Sequence, residues 1–287
     1  MSLEQLFGGP EQISLESLDR QHRIISLEST NLSQTLSAVT DRLPGFLVDV
    51  KHFITNTMNP FASTTGIVNS HNLESRLRNV DFLLVAGLAV DTPPGFRAKW
   101  LDYIQVLNQG QSVLDIFQAT ALKPFETWLG TLINSPDLLR SIGSAPALAR
   151  YKAPDLDGIK AGMAKCFDPK SGDVSATVGD VVSRSADIPL VTRQLNDINS
   201  RFATIDRKVL IRQVTAITEL LDALIAGIKE DPEGLPVSGV TLKTLTEMTF
   251  NMAREVEFYS AHAYAVESFT QSVKDSYKRL EKVAALK

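Results

Sequence analysis

Residues 241–285 read TLKTLTEMTFNMAREVEFYSAHAYAVESFTQSVKDSYKRLEKVAA. Leu245, Met248, Met252, Val256, Tyr259, Ala263, Val266, Phe269, Val273, Tyr277 and Leu280 follow one another by three or four residues. That spacing lays one apolar stripe along one face of a helix. No proline or glycine falls between Val240 and Lys287, so nothing local stops the helix. At a rise of 1.5 Å per residue it would run roughly 65 Å. A helix of this length needs a partner for its stripe, and the partner lies just upstream.

Leu190 begins that partner. Val191, Leu195, Ile198, Phe202, Ile205 and Val209 step by four and three. A second set, Leu210, Val214, Ile217, Leu221, Leu224 and Ile228, repeats the spacing one residue out of phase. A strict heptad would hold one phase throughout. The slip at Val209/Leu210 therefore turns the stripe toward different neighbours along its length. Residues 231–239, DPEGLPVSG, carry two prolines and two glycines, enough to end one helix and start another. The expectation is an antiparallel helical hairpin, residues 190–230 against 241–285.

A further long helix is expected from a cap at Thr30 or Asn31, with Leu32, Leu36, Val39, Leu43, Phe46 or Leu47, Val50, and Phe53 or Ile54 on its stripe. Pro44 should kink or split it. Residues 56–71 read as a loop and Asn72–Asn79 as a short helix. Val80–Val90 is apolar apart from Asp81 and is closed by DTPPG, which fits a buried strand or a short core helix. Phe96–Thr120, Pro124–Ile133 and Pro136–Ile142 have helical spacing. Residues 143–189 are the least regular: Asp155–Phe167 suits a short helix, and Val174–Val182 reads equally as strand or helix.

The fold class expected is mainly α: an elongated helical bundle built on the long C-terminal hairpin, with one or two short strands in the middle region. By segment, residues 1–28 form a flexible tail with a short helix over 11–24. Residues 29–150 form a helical lobe including a long first helix, 151–189 an irregular connector, and 190–287 the hairpin.

The 287 residues carry a net charge of −4, which implies no general nucleic-acid surface. Residues 190–287 hold thirteen Lys/Arg and thirteen Asp/Glu, so the hairpin has no block of one sign. A single cysteine, Cys166, excludes an internal disulfide. The N-terminus lacks a basic region followed by an apolar run, so a secretory signal peptide is not expected. The longest apolar run, FLLVAGLAV at Phe82–Val90, has nine residues, where a membrane-spanning helix needs about 20.

Local chemistry-bearing patterns are weak. His22, His52, His71 and His262 have no metal-ligand spacing among them. Residues 158–166, GIKAGMAKC, place three residues between the glycines and no Lys-Ser/Thr after them, so they are not a phosphate loop. DPKSGD at 168–173 lacks the alternating oxygen ligands of a calcium loop. Lys165 beside Cys166 would lower a thiol pKa, but a buried inert thiol is the better reading. The aromatics Phe250, Phe258, Tyr259, Tyr264, Phe269 and Tyr277 lie at or beside the stripe, with only Arg254 and Lys274 between them, and read as core. No catalytic, cofactor-binding or metal-ligating residue is assigned.

One pattern in the N-terminal segment stands apart. Ser-Leu-Glu occurs at residues 2–4, 14–16 and 26–28, and Gly9-Pro10-Glu11 has the same small-x-Glu form. This resembles the sequences cut by maturation proteases of large tailed phages, which trim capsid and internal-head proteins. The helical style resembles virion structural proteins of those phages. The resemblance implies candidate cleavage after Glu4, Glu11, Glu16 and Glu28. Ala253–Glu255 and Ala265–Glu267 fit the tripeptide too, inside the long helix. The expected function is therefore a non-enzymatic structural or assembly protein, acting through contacts with other virion proteins or with itself. It would reside in the virion, or in host cytoplasm before assembly. The alternative is a membrane-active α-helical protein, such as a pore-forming toxin subunit, with Phe82–Val90 as its apolar segment.

Overall fold

The computed structural model describes residues 13–30, 36–58, 67–77, 82–134, 152–168, 176–204, 215–217, 219–220, 222, 226 and 239–285. In chain order these form α1 (Leu15–Thr30), α2 (Leu36–Met58), α3 (His71–Leu77), α4 (Phe82–Ala86) and β1 (Ala89–Val90). Next come α5 (Trp100–Phe117), a π-helical turn (Gln118–Leu122), α6 (Lys123–Asn134), α7 (Leu156–Lys165) and β2 (Ala176–Thr177). The described chain closes with α8 (Val178–Val181), α9 (Asp187–Thr204) and the 47-residue α10 (Gly239–Ala285). The fold is mainly α. The two strands form one antiparallel pair, Ala89 opposite Thr177 and Val90 opposite Ala176.

The chain divides into two compact units. Each draws on three separate stretches of sequence. The first takes Met1–Phe61, Ile116–Ala153 and Arg207–Ser260; the second takes Ala62–Asp115, Pro154–Asp206 and Ala261–Lys287. Ten of the eleven α10 stripe residues are buried, and Ala263 is half-buried.

In the first unit, α1 and α2 pack together. Leu18 and Ile25 of α1 and Leu43, Phe46, Leu47, Val50 and Ile54 of α2 are buried. Gln21 donates to Asp49 across the pair at 2.9 Å. His22 stacks on Phe250 of α10 at 4.5 Å between ring centroids. Residues 15–25 thus belong to a packed helix, where the sequence suggests a tail with a short helix over 11–24. Among their many polar residues, Leu18 and Ile25 stand seven apart and fall on one face after two turns. The helix runs on through Thr30, so Thr30 is not the cap of α2; Asn31 lies outside the described residues. Pro44 is accommodated within the continuous helix α2. Pro124 has no N–H to offer the carbonyl of Thr120, and the chain meets that loss with the π turn just ahead of it. The continuation of the hairpin's first arm, 205–214, and the connection 231–238 lie outside the described residues, as do Pro136–Ile142.

In the second unit, α9 and the C-terminal part of α10 run antiparallel. Thr192 bonds to Tyr277 at 3.3 Å and Asn199 to Thr270 at 3.3 Å, so residue numbers rise on one helix as they fall on the other. This is the expected hairpin pairing over the length of α9. The apolar run 82–90 becomes neither one strand nor one core helix: it is split into α4 and β1, with Val85 and Val90 buried. In the segment Val174–Val182, the described residues from Ala176 onward form both a strand, β2, and a helix, α8. A capping box between Thr177 and Asp180 starts that helix. Gly95 takes a φ of +74°, and a Cβ there would fall 2.8 Å from the Asp168 carbonyl oxygen. That approach lets Asp168 N–H donate to Gly95 O at 2.7 Å beside the Phe96–Phe167 bridge.

Candidate functional site

The polar chemistry of the second unit gathers on one line of α9. Thr192, Asn196 and Asn199 are spaced four and three residues apart, beside the apolar stripe of Ile188, Val191, Leu195 and Ile198. Each reaches a different partner. Tyr277 donates its hydroxyl to the Ile188 carbonyl at 3.0 Å and receives Thr192. Asn199 donates to Thr270, whose hydroxyl also reaches the Val266 carbonyl at 2.6 Å. Asn196 makes the third contact: its Oδ1 accepts from Val68 N–H and its Nδ2 donates to Val68 O, both at 2.8 Å. One side chain so satisfies both main-chain groups of a residue outside any helix or strand.

Ser276 of α10 does the same for the segment after β1. Its Oγ accepts from Asp91 N–H at 2.8 Å and lies 3.1 Å from Asp91 O, while Arg279 holds the Asp91 carboxylate at 2.9 Å.

Just beyond Asn199, Arg201 binds Asp115 of α5 through Nη2 at 2.5 Å and Nε at 3.2 Å. Gln111 donates to the other Asp115 oxygen at 2.9 Å. His262 is fully buried. Burial pushes its pKa down to about 4, the Asp115 carboxylate pulling it up and Arg201 down. It is thus neutral near pH 7. The sequence places His262 beside the stripe; what spacing does not disclose is that α5 and α9 bring an ion pair to it.

Cys166 is buried, and its Sγ contacts the Gly162 carbonyl at 3.6 Å. Burial raises its pKa, and the charge of Asp102 adds to that, so the thiolate a nucleophile needs is disfavoured. Tyr103 is shifted up as well, chiefly by burial. It belongs to a cluster of rings with Phe96, Phe167 and Phe269, at centroid distances of 5.3, 5.5 and 5.0 Å. Tyr264, by contrast, is exposed, because it lies off the stripe. Among the described residues no three His, Cys, Asp or Glu side chains come together as a metal site.

Of the candidate cleavage positions, Glu4 and Glu11 lie outside the described residues. Glu16 and Glu28 both fall in α1, one in its first turn and the other in its last, so the structure sets them at opposite ends of one helix. Glu16 pairs with Arg20 at 3.0 Å. A protease groove takes an extended chain, so cutting at either would require that end of α1 to fray first.

Within the apolar run 82–90, exposure concentrates on α4. Leu83 is 78% and Leu84 59% exposed, while Val85 beside them and Val90 of β1 are in the core. Among the described residues no helix is long and apolar enough to cross a membrane.

The described chain thus defines a mainly helical protein with a two-stranded clip and a line of polar side chains that tie distant segments together. No protein-family model matches it, and no similar protein is found among curated proteins or solved structures.

Proposed function

We propose that the chain is a non-enzymatic structural or assembly protein that works through protein–protein contacts. The observation that carries this is the pair Leu83 and Leu84, held outward on a helix anchored by Val85 and by the packing of α4 against α8. We read these two adjacent leucines as part of a contact surface. The polar groups of the second unit support the same reading, since Thr192, Asn196, Asn199 and Ser276 each bond to another part of the chain.

Sedimentation velocity over a concentration series tests the proposal. The intact chain should associate as concentration rises, and Leu83→Ser/Leu84→Ser should remain monomeric over the same range. The double substitution should alter stability by no more than about 0.5 kcal/mol per site, as exposed positions do. A wild-type chain that stays monomeric at every concentration and binds no assembly partner overturns the reading. Leakage of dye from liposomes, lost in the same variant, would instead favour the membrane-active alternative.

The finer proposal is that the assembly is the virion of a large tailed phage. It is supported by the small-x-Glu tripeptides. If Ser26-Leu27-Glu28 is processed, protein taken from particles should begin at Ser29, while recombinant protein begins at Met1 or Ser2. N-terminal mass spectrometry of the two samples checks this. Native protein that still carries residues 2–28 removes the maturation argument.

A further inference from the structure

Three helices of the second unit bring titratable groups to one place. His262 of α10 has no exposed surface. Among the described residues, the charges that act on its ring are Asp115 of α5, which favours a proton there, and Arg201 of α9, which opposes one. On α10 itself the nearest acidic residues in sequence are Glu257 and Glu267, each five positions away, and the buried Glu255, seven positions before the ring.

Both oxygens of Asp115 are engaged. One accepts from Arg201 Nη2 at 2.5 Å and Nε at 3.2 Å, the other from Gln111 Nε2 at 2.9 Å. Gln111 is completely buried, and its Oε1 has no hydrogen-bond partner among the described residues. The cluster therefore holds an acceptor that this state leaves unused. A neutral imidazole has one N–H to give and an imidazolium has two.

A charge inside a protein is tolerated beside an opposite charge and is costly without one. A proton on His262 thus sets two cations competing for the Asp115 carboxylate. They are not equally placed. His262 cannot reach water from its position on α10, whereas the Arg201 side chain is 33% exposed. Arg201 also has other partners to keep as it turns outward: Asp197 lies 3.9 Å from Nη1 and Ser112 3.2 Å from Nη2.

We propose that this cluster is an acid switch, in which a protonated His262 takes the Asp115 carboxylate from Arg201 and so unties α9 from α5. Near pH 7 the ring is neutral and the Arg201–Asp115 pair stands. As pH falls toward about 4 the ring gains its proton and the pair gives way.

Nuclear magnetic resonance of the full chain tests this between about pH 7.5 and about pH 4, with circular dichroism to follow folding. The Arg201 Nε–H signal should shift with the same midpoint as the His262 ring while the unit remains folded. In His262→Leu that signal should not follow pH with this midpoint, which separates the switch from protonation of Asp115 alone. Asp115→Asn should lower the ring's midpoint, and Arg201→Gln should raise it by about 1–3 pH units, as loss of a neighbouring charge does. An Arg201 signal that stays still while the ring titrates overturns the switch. So does one that moves equally in His262→Leu, or a ring that gains its proton only as the unit unfolds. Should His262→Leu fail to fold, the other two variants decide. Midpoints displaced in opposite directions support the switch, and a midpoint that neither substitution moves overturns it.

Discussion

Phe269→Ala should destabilise the second unit by about 3–5 kcal/mol, the range for truncating a fully buried aromatic. Phe269 has no exposed surface and is the ring at which the second unit's aromatics meet. Tyr103 lies 5.0 Å away edge-to-face, Phe96 5.9 Å and Trp100 6.4 Å between centroids. Edge-to-face pairs add stabilisation beyond the area they bury, and three neighbouring rings cannot all collapse into the space left. Trp100 reports the event directly. Urea unfolding followed by tryptophan fluorescence, in a Trp128→Phe background, would read the second unit alone. Tyr264→Ala, five residues earlier and exposed, should change stability by no more than about 0.5 kcal/mol. A loss below about 1 kcal/mol at Phe269 would mean that the stripe is not packed in the isolated protein.

Acid should destabilise the same unit through His262. The imidazole has a pKa of about 4 when folded, against the ordinary 6.5 in the unfolded chain. A base whose folded pKa is lowered binds its proton more tightly when unfolded. Its contribution is therefore fully present above pH 6.5 and is lost as pH falls toward 4, where protonation in the folded state begins to level the loss. Between about pH 7.5 and about pH 4 the wild type should lose about 3 kcal/mol through this residue. His262→Leu should lack that component whatever its own stability at neutral pH, because only the difference between the two pH curves is read. Parallel curves for the two proteins would show that His262 already carries its proton in the fold or that the unit opens there.

The periodicity of residues 241–285 carries most of the helical fold, and the structure follows it closely from Leu245 to Leu280. Local sequence suffices there because one stripe, repeated every three or four residues without a breaker, leaves the backbone a single low-energy choice. The antiparallel partner is legible for the same reason, through Val191, Leu195 and Ile198. The packing of α1 is not: two apolar residues, Leu18 and Ile25, are too few to mark a core face, and only α2 and Phe250 give the helix something to pack on. The run 82–90 misleads in another way. Its continuous hydrophobicity suggests burial throughout, yet burial depends on neighbours, and these cover Val85 and Val90 while leaving Leu83 and Leu84 outside.

Residue spacing alone establishes that the chain is mainly helical, where its longest helix runs and which face of that helix is apolar. Those are properties of spacing along one segment. The tertiary structure alone decided that Asn196 grips Val68 across 128 positions of sequence, that Ser276 grips Asp91 across 185, and that Arg201 binds Asp115 across 86 within reach of His262. A polar side chain on a helix has many available partners, and only the packing of distant segments selects one of them.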